Sequence, residues 1–159
     1  MFLYLILSAV LIIADQLVKL WIVNSFSLHD GMGFINGLVS ILYVRNTGAA
    51  WGMFEGKMFF FYAITAVAVA TLLYLMFKEK GKSKLLLTAY AFILAGAVGN
   101  LIDRLLRSPG FGRGHVVDFI DYNGAFVGNV ADIAIVIAGV AVVWLTTVGR
   151  NLDGSQSKS

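Results

Sequence analysis

Two aspartates in the last third of the chain are the residue type that acid–base chemistry uses. Asp118 lies among apolar residues, and Asp132 follows Asn129 at the start of a long apolar stretch. Two carboxyl groups that approach closely cannot both ionise readily, so one keeps a proton while the other can take one from water. Such a pair can hydrolyse an amide without a covalent intermediate, metal or cofactor. We therefore interpret Asp118 and Asp132 as a candidate acid–base pair.

Each of these residues also has a structural interpretation. Asn129 belongs to the residue types that cap helix N-termini, and a carboxylate at Asp132 would complement the helix dipole. Neither role explains why Asp118 and the polar end of the preceding apolar stretch would converge on the same end of the molecule.

That preceding stretch carries a polar stripe. Gly96, Asn100, Asp103 and Arg104 are spaced i, i+4, i+7 and i+8, so they share one helical face. Polar groups on an apolar helix must face the bundle interior or water. The spacing fits hydrogen bonding between helices as well as it fits a functional site.

A second pair of charges lies near the N-terminus. Asp15 and Lys19 are four residues apart with the acid first, which favours pairing along a helix. We interpret them as a structural ion pair at the membrane edge, with a direct role in substrate handling as the alternative.

Other chemistries have little support in the sequence. The chain has no cysteine, which excludes disulfides and thiol nucleophiles. His29 and His115 form no His-x-x-x-His pair, so we expect no metal site, and no motif indicates a cofactor. We interpret both histidines as structural or loop residues. A net charge of +3 is too small to suggest nucleic acid.

The elements that position these residues are membrane helices. The chain has 159 residues, of which 59% are apolar and 13% charged, against about 25% charged in a soluble domain. Four stretches reach the length of about 20 apolar residues that a bilayer requires. They predict one mainly α-helical membrane domain over residues 1–150, with a disordered tail at 151–159. The spans are 2–23, 58–77, 85–106 and 130–148.

The charges of the connecting segments predict the orientation. Residues 78–84 carry four lysines and one glutamate, whereas the loops at 24–57 and 107–128 are balanced. By the positive-inside rule, both termini and the lysine-rich loop are cytoplasmic, and the two balanced loops face outward. The N-terminal stretch lacks a basic region and a cleavage site, so we read it as a retained helix.

The first outer loop has a structure of its own. Residues 38–44 are β-branched and aromatic, which predicts a strand in a small sheet at the outer membrane surface. The segment 29–31 reads as a turn. Trp21, Tyr43 and Trp51 suit an aromatic belt at the membrane interface.

Four sequence blocks occur together in the order of a known family. Through them, and through the four-span layout, the chain resembles the bacterial lipoprotein signal peptidases, which are integral-membrane aspartyl proteases. The likeness covers nearly the whole chain. The blocks are DQLVK at 15–19, NTGAAWG at 46–52, GAVGNLIDR at 96–104 with VVDF at 116–119, and NVAD at 129–132.

The resemblance implies a role for each matched residue. It implies that Asp118 and Asp132 are catalytic and that Asp15, Lys19 and Asp103 support the site. The implied substrate is a prolipoprotein with a diacylglyceryl-modified cysteine, cut just before that cysteine. The implied setting is the bacterial cytoplasmic membrane, with membrane lipids as partners, globomycin-like cyclic peptides as inhibitors and a monomer as the expected form. The residues implied to line the site and hold the substrate backbone are Asn46, Gly96, Asn100, Arg104 and Asn129.

Three positions depart from the family pattern. Trp51 stands where phenylalanine is usual, Gly128 where phenylalanine is common, and Ile133 where serine is common. Both aspartates remain, so these changes bear on fine specificity and inhibitor affinity more than on activity.

Two other functions compete with proteolysis. Intramembrane Asp, Asn and Arg also serve ion-coupled carriers, but a carrier needs them near the bilayer midplane with access to both sides. A non-catalytic assembly protein could use the paired aspartates structurally. Asparagine at either aspartate would abolish turnover in a protease, and would reduce expression or stability in an assembly protein.

Overall fold

The computed structural model describes residues 1–35, 37–48, 57–80 and 83–156, with the side chains at Phe34 and 148–156 left aside. It confirms the predicted class, because four helices are long and apolar enough to cross a membrane and a small sheet accompanies them. The protein is a multi-pass membrane protein. The helices are α1 (Phe2–Ser25), α2 (Met58–Lys78), α3 (Lys84–Leu106) and α4 (Val130–Gln156).

Helix α3 is the centre of the bundle. It packs against α1, α2 and α4, and its buried Leu87, Tyr90 and Leu94 form a core with Leu72 and Met76 of α2. Small residues let neighbouring helices approach α3 closely, which is how helices associate in lipid. The inner faces of α3 therefore lie against other helices.

The extramembrane sheet joins the two outer loops. Its strands are β1 (Gly31–Ile35), β2 (Val39–Asn46), β3 (Val116–Asp121) and β4 (Val127–Gly128), all antiparallel in this order. The predicted strand at 38–44 is β2. The sequence analysis did not identify its partner β3, which lies in the second outer loop. Because β2 pairs with β3, both loops lie at the same end of the bundle.

Two sequence predictions need correction. Tyr43 is not in an interfacial belt, because it is only 3% exposed and packs with Ile22, Val117 and Phe119 beneath the sheet. Trp21 is exposed on the surface of the bundle, so its place in the belt stays a prediction, and Trp51 lies outside the described residues. The predicted tail also differs, because α4 continues to Gln156. Residues 151–156 contain no proline, so each added residue can extend the helical hydrogen bonding.

Candidate active site

Asp118 and Asp132 lie in the same cavity at the sheet end of the bundle. Asp118 is in β3, opposite Val44 of β2, and Asp132 is in the first turn of α4. Between them the chain turns back through β4, which ends one residue before Asn129. The cavity has a volume of about 660 Å³, and both aspartates line it. Four more residues predicted for the site line the same cavity: Asn46, Asn100, Arg104 and Asn129.

Side-chain amides, rather than cations, hold both carboxylates. Asp118 accepts a bond from Nδ2 of Asn46 at 2.8 Å and one from Nδ2 of Asn129 at 2.7 Å. Asp132 accepts a bond from Nδ2 of Asn100 at 3.0 Å. Hydrogen bonds of this kind fix the rotamer of a carboxylate without neutralising its charge.

A donor-only partner fixes the orientation of each amide. The Asn46 oxygen accepts from the Gly48 N–H at 2.8 Å, and the Asn129 oxygen accepts from the Asp132 N–H at 3.2 Å. The Asn100 oxygen accepts from the Lys19 ammonium at 2.9 Å. Since an N–H donor can face only the oxygen end of an amide, all three NH₂ groups must point at the carboxylates.

The start of α4 combines a helix cap with the site. Asn129 caps the helix through the Asp132 N–H, and Asp132 Oδ2 accepts from the Asn129 N–H at 3.0 Å. This reciprocal pair is the capping-box arrangement. The structural and functional interpretations of Asn129 and Asp132 therefore both hold, because the cap fixes the side chain that enters the cavity.

The surroundings of Asp118 favour its protonated form. The side chain is 2% exposed. Burial, and then the charge of Asp132, raise the pKa of Asp118 from 3.8 to about 6, against the opposing effect of its two amide donors and of Lys19. Asp118 can therefore carry a proton close to neutral pH.

The rest of the cavity wall is largely apolar. Ile133 and Ile137 of α4 contribute to it and are also exposed on the outside of the bundle, where lipid would lie. On the opposite side, the Arg104 guanidinium stacks 4.5 Å from the ring centroid of Phe61 and donates to the Gly48 carbonyl at 3.1 Å. The cavity thus offers two acids, one cation and an apolar surface that faces the membrane side.

A second cluster of polar and charged side chains lies between α1 and α3, away from the cavity. The Lys19 ammonium is fully buried and bridges Asp15 at 2.9 Å and Asp103 at 2.8 Å. Asp103 is also paired with Arg107 at 2.6 Å and accepts from Gln16 at 3.1 Å. We call these five residues the ion-pair cluster. The predicted pairing of Asp15 with Lys19 is present within it.

The polar stripe of α3 therefore divides between two neighbours. Asn100 and Arg104 face the cavity, whereas Asp103 faces α1. Gly96 does not line the cavity with the aspartates. A Cβ added there would lie 2.9 Å from the Ala131 carbonyl and 2.7 Å from Ile135, so Gly96 lets α3 and α4 pack closely.

The sequence analysis missed several residues that the structure brings to these clusters. Arg107 follows Asp103 by four residues, the same acid-first spacing that drew attention to Asp15, and this signal could have found it. No pattern indicated Phe61 or Tyr122, which line the cavity. His115 is buried, is not among the cavity-lining residues, and has a pKa lowered by burial and by Arg45. This placement agrees with a structural role.

Comparison of the sequence with models of known protein families shows which kind of enzyme this cavity belongs to. The family model described as signal peptidase (SPase) II matches residues 7–148. The chain belongs to the signal peptidase II family. It is therefore an aspartic-type protease of the membrane, which favours proteolysis over the carrier and assembly alternatives.

Individual signal peptidase II relatives are similar over nearly the whole chain. The lipoprotein signal peptidase of Lactobacillus johnsonii is 41% identical over 148 residues, covering 90% of each chain. That of Bacillus pumilus is 39% identical, covering 98% of this chain and 96% of the relative. A solved bacterial membrane enzyme structure matches with a TM-score of 0.83 and 31% identity, over 100% of this chain and 93% of the other.

Proposed function

We propose that this signal peptidase II cleaves diacylglyceryl-modified prolipoproteins just before the lipidated cysteine, with Asp118 and Asp132 as the catalytic pair. Removal of signal peptides from prolipoproteins is the activity of the family to which the chain belongs. The assignment of these two residues depends on one observation: both aspartates line the same cavity. Oriented amides hold both side chains, and no cation is paired with either among the described contacts.

In this mechanism a water molecule lies between the carboxyl groups. The ionised aspartate takes a proton from the water as it attacks the scissile carbonyl, and the protonated aspartate donates to the carbonyl oxygen. Asp118 is the member suited to hold that proton, because its pKa is raised to about 6. When the gem-diol intermediate collapses, the proton taken from water goes to the leaving amine and one gem-diol hydroxyl returns its proton to Asp118. Both carboxyl groups then return to their starting states.

The other cavity residues bind and orient the substrate. Asn46, Asn100 and Asn129 hold the carboxylates. Asn46 and Asn100, with Arg104, offer donors to the substrate backbone, whereas Asn129 uses its two N–H groups on Asp118 and Asn100. The apolar wall at Ile133 and Ile137 suits a lipid-modified substrate that approaches from the bilayer. The same wall is where a globomycin-like cyclic peptide would compete. Ile133 and Gly128, which depart from the family pattern, line this cavity, so they bear on specificity and inhibitor affinity.

The membrane setting follows from the charges. Lys78 at the end of α2 and Lys84 at the start of α3 lie at the helix ends away from the sheet, and residues 78–84 carry four lysines in sequence. Applied to the bacterial cytoplasmic membrane, the positive-inside rule puts this segment and both termini in the cytoplasm and the catalytic pair at the outer face. A monomer is sufficient for this mechanism, because one chain supplies both aspartates and the cavity.

Cleavage of a diacylglyceryl-modified prolipoprotein by the purified protein tests the proposal. The wild type should cut before the lipidated cysteine, and Asp132→Asn should not, while both proteins melt cooperatively. Activity should survive a chelator, because no three His, Asp or Glu side chains in the described part of the chain form a metal-binding group. Cleavage by folded Asp132→Asn at the wild-type rate would overturn the assignment.

A further inference from the structure

A side-chain hydrogen bond joins the ion-pair cluster to the catalytic cavity. The Lys19 ammonium has three N–H donors, of which two bind Asp15 and Asp103. The third donates to Oδ1 of Asn100 at 2.9 Å. Lys19 does not line the cavity, and among the described contacts this amide is what links it to the catalytic pair by hydrogen bonds.

The contact locks the Asn100 amide from the side opposite Asp132. A flip of the amide is opposed at both ends, because it would turn Oδ1 toward the Asp132 carboxylate and the NH₂ group toward the Lys19 ammonium. Asn100 Oδ1 also accepts from Nδ2 of Asn129 at 3.3 Å. One buried cation thereby aligns two of the three amides.

We propose that Lys19 is a positioning residue for catalysis: its buried ammonium holds the Asn100 amide with Nδ2 toward Asp132, and so fixes the Asp132 carboxylate in the cavity. The proposal rests on the proposed function, since it takes Asp132 to be catalytic. It assigns to Lys19 a role beyond an ion pair that joins α1 to α3.

Charge gives the proposal a second consequence. The positive charge of Lys19 opposes the rise in the pKa of Asp118. Removing the ammonium should therefore raise that pKa further and move the pH dependence of cleavage upward. The charged groups around this network are Asp15 and Lys19 of α1, Asp103, Arg104 and Arg107 of α3, Asp118 of β3 and Asp132 of α4.

A charge-matched variant tests the role without leaving a buried acid unpaired. Lys19→Met combined with Asp15→Asn removes one cation and one anion, and Asp103 keeps Arg107 as its partner. The matched control is Asp15→Asn alone, which retains the bonds from Lys19 to Asp103 and Asn100. Both variants are assayed as full chains with a diacylglyceryl-modified prolipoprotein from pH 5 to 9, alongside thermal melting.

Compared with the control, the double variant should lose about 10- to 100-fold in kcat with KM changed less than about threefold, since a small misplacement of a reacting group costs this much. Its alkaline limb should also lie at higher pH. A kcat and a pH profile equal to those of Asp15→Asn would overturn the proposal and leave Lys19 as a structural residue.

A thermodynamic cycle tests whether Lys19 acts on Asp132 through the Asn100 amide. In an Asn100→Leu background, the same replacement of Lys19 should cost no further kcat at pH 5, because the amide it orients is gone. A full additional loss in this background would overturn a route through Asn100. Asp132→Asn is assayed in parallel. If Asp132→Asn remains active, the catalytic assignment itself fails. If Asp132→Asn is inactive but the double variant is as active as its control, only the role of Lys19 is refuted.

Discussion

The two polar clusters of this signal peptidase II contain the same residue type in opposite electrostatic settings. In the ion-pair cluster, Asp15 and Asp103 face Lys19 and Arg107 at 2.6–2.9 Å. In the cavity, Asp118 and Asp132 are held by neutral amides. Removing one partner of a buried carboxylate–cation pair strongly destabilises the folded protein, because it leaves the other charge buried and unpaired. Carboxylates held by amides keep their capacity to exchange protons, so the difference supports a structural role for the first pair and the proposed catalytic role for the second.

The largest expected effect is that two matched Asp→Asn substitutions damage different properties, one the cleavage activity and the other the thermal stability. Asp118→Asn should reduce cleavage by about 10²–10⁴-fold, the usual contribution of a general acid or base, with a small change in Tm. Asp103→Asn leaves Lys19 and Arg107 without their shared carboxylate, and breaking a buried pair costs about 3–5 kcal/mol. It should therefore lower Tm by about 10 °C. Prolipoprotein cleavage and thermal melting check both expectations. If the same variant is the more impaired in both assays, the two clusters do not differ in role.

Two glycines on neighbouring faces of α3 sharpen the comparison further. Gly96→Ala places a methyl group against α4, which carries Asp132, and Gly99→Ala places one 2.7 Å from the Asp15 carboxylate. Overpacking of this kind costs about 1–3 kcal/mol. We expect Gly96→Ala to lower kcat more than Gly99→Ala at a similar loss of Tm. If Gly99→Ala impairs turnover as much, then the two faces of α3 are not functionally separate.

The pH dependence of cleavage should report the amide-held pair. Because Asp118 has a raised pKa of about 6 and must hold a proton, kcat/KM should fall as the pH rises through that value. The measurement is the pH profile at limiting substrate. Asp103→Asn leaves both cavity acids in place and should keep an alkaline limb in the residual activity. A flat profile in the wild type from pH 5 to 8 would contradict the assignment of Asp118.

The smallest expected effect is on stability. The folded state binds the Asp118 proton more tightly than the unfolded state, whose ordinary pKa is 3.8, so this group's contribution to stability falls as the pH rises from about 4 to 6. The Tm of the wild type should fall across this interval by more than that of Asp118→Asn. Thermal melting at pH 4, 5, 6 and 7 measures the difference, and parallel curves would mean that burial does not penalise the charge.

The sequence was most informative where one physical constraint dominates. Bilayer thickness sets the length of an apolar stretch, so the helix starts at Phe2 and Val130 and the end of α3 at Leu106 were predictable. The aspartates were singled out by residue type and position, and Asn100 and Arg104 by helical spacing, whereas Asn46 came only from the resemblance to the family. The chemistry of the aspartates could be reasoned from residue type alone.

The parts that depend on distant packing were not predictable. Nothing local shows that β2 pairs with a strand more than 70 residues later, or that Tyr43 therefore lies beneath a sheet. Helical spacing placed Gly96 and Asp103 on the stripe with Asn100. It could not show that α3 has three neighbours, so that a stripe serves two of them. The orientation of the amides likewise depends on donors from other elements.

The pairing of β2 with β3 also has a consequence for biosynthesis. Asn46 leaves the ribosome 72 residues before Asp118, its partner, and Asp132 comes later still, at the start of the last span. A nascent chain that ends before α4 contains the strand, the amide donor and one acid, but it has no second acid and no cavity wall from α4. With Asp118 and Asp132 as the proposed catalytic pair, proteolytic activity begins only when the final helix has entered the bilayer, so the protease does not cut its neighbours while it is still being inserted.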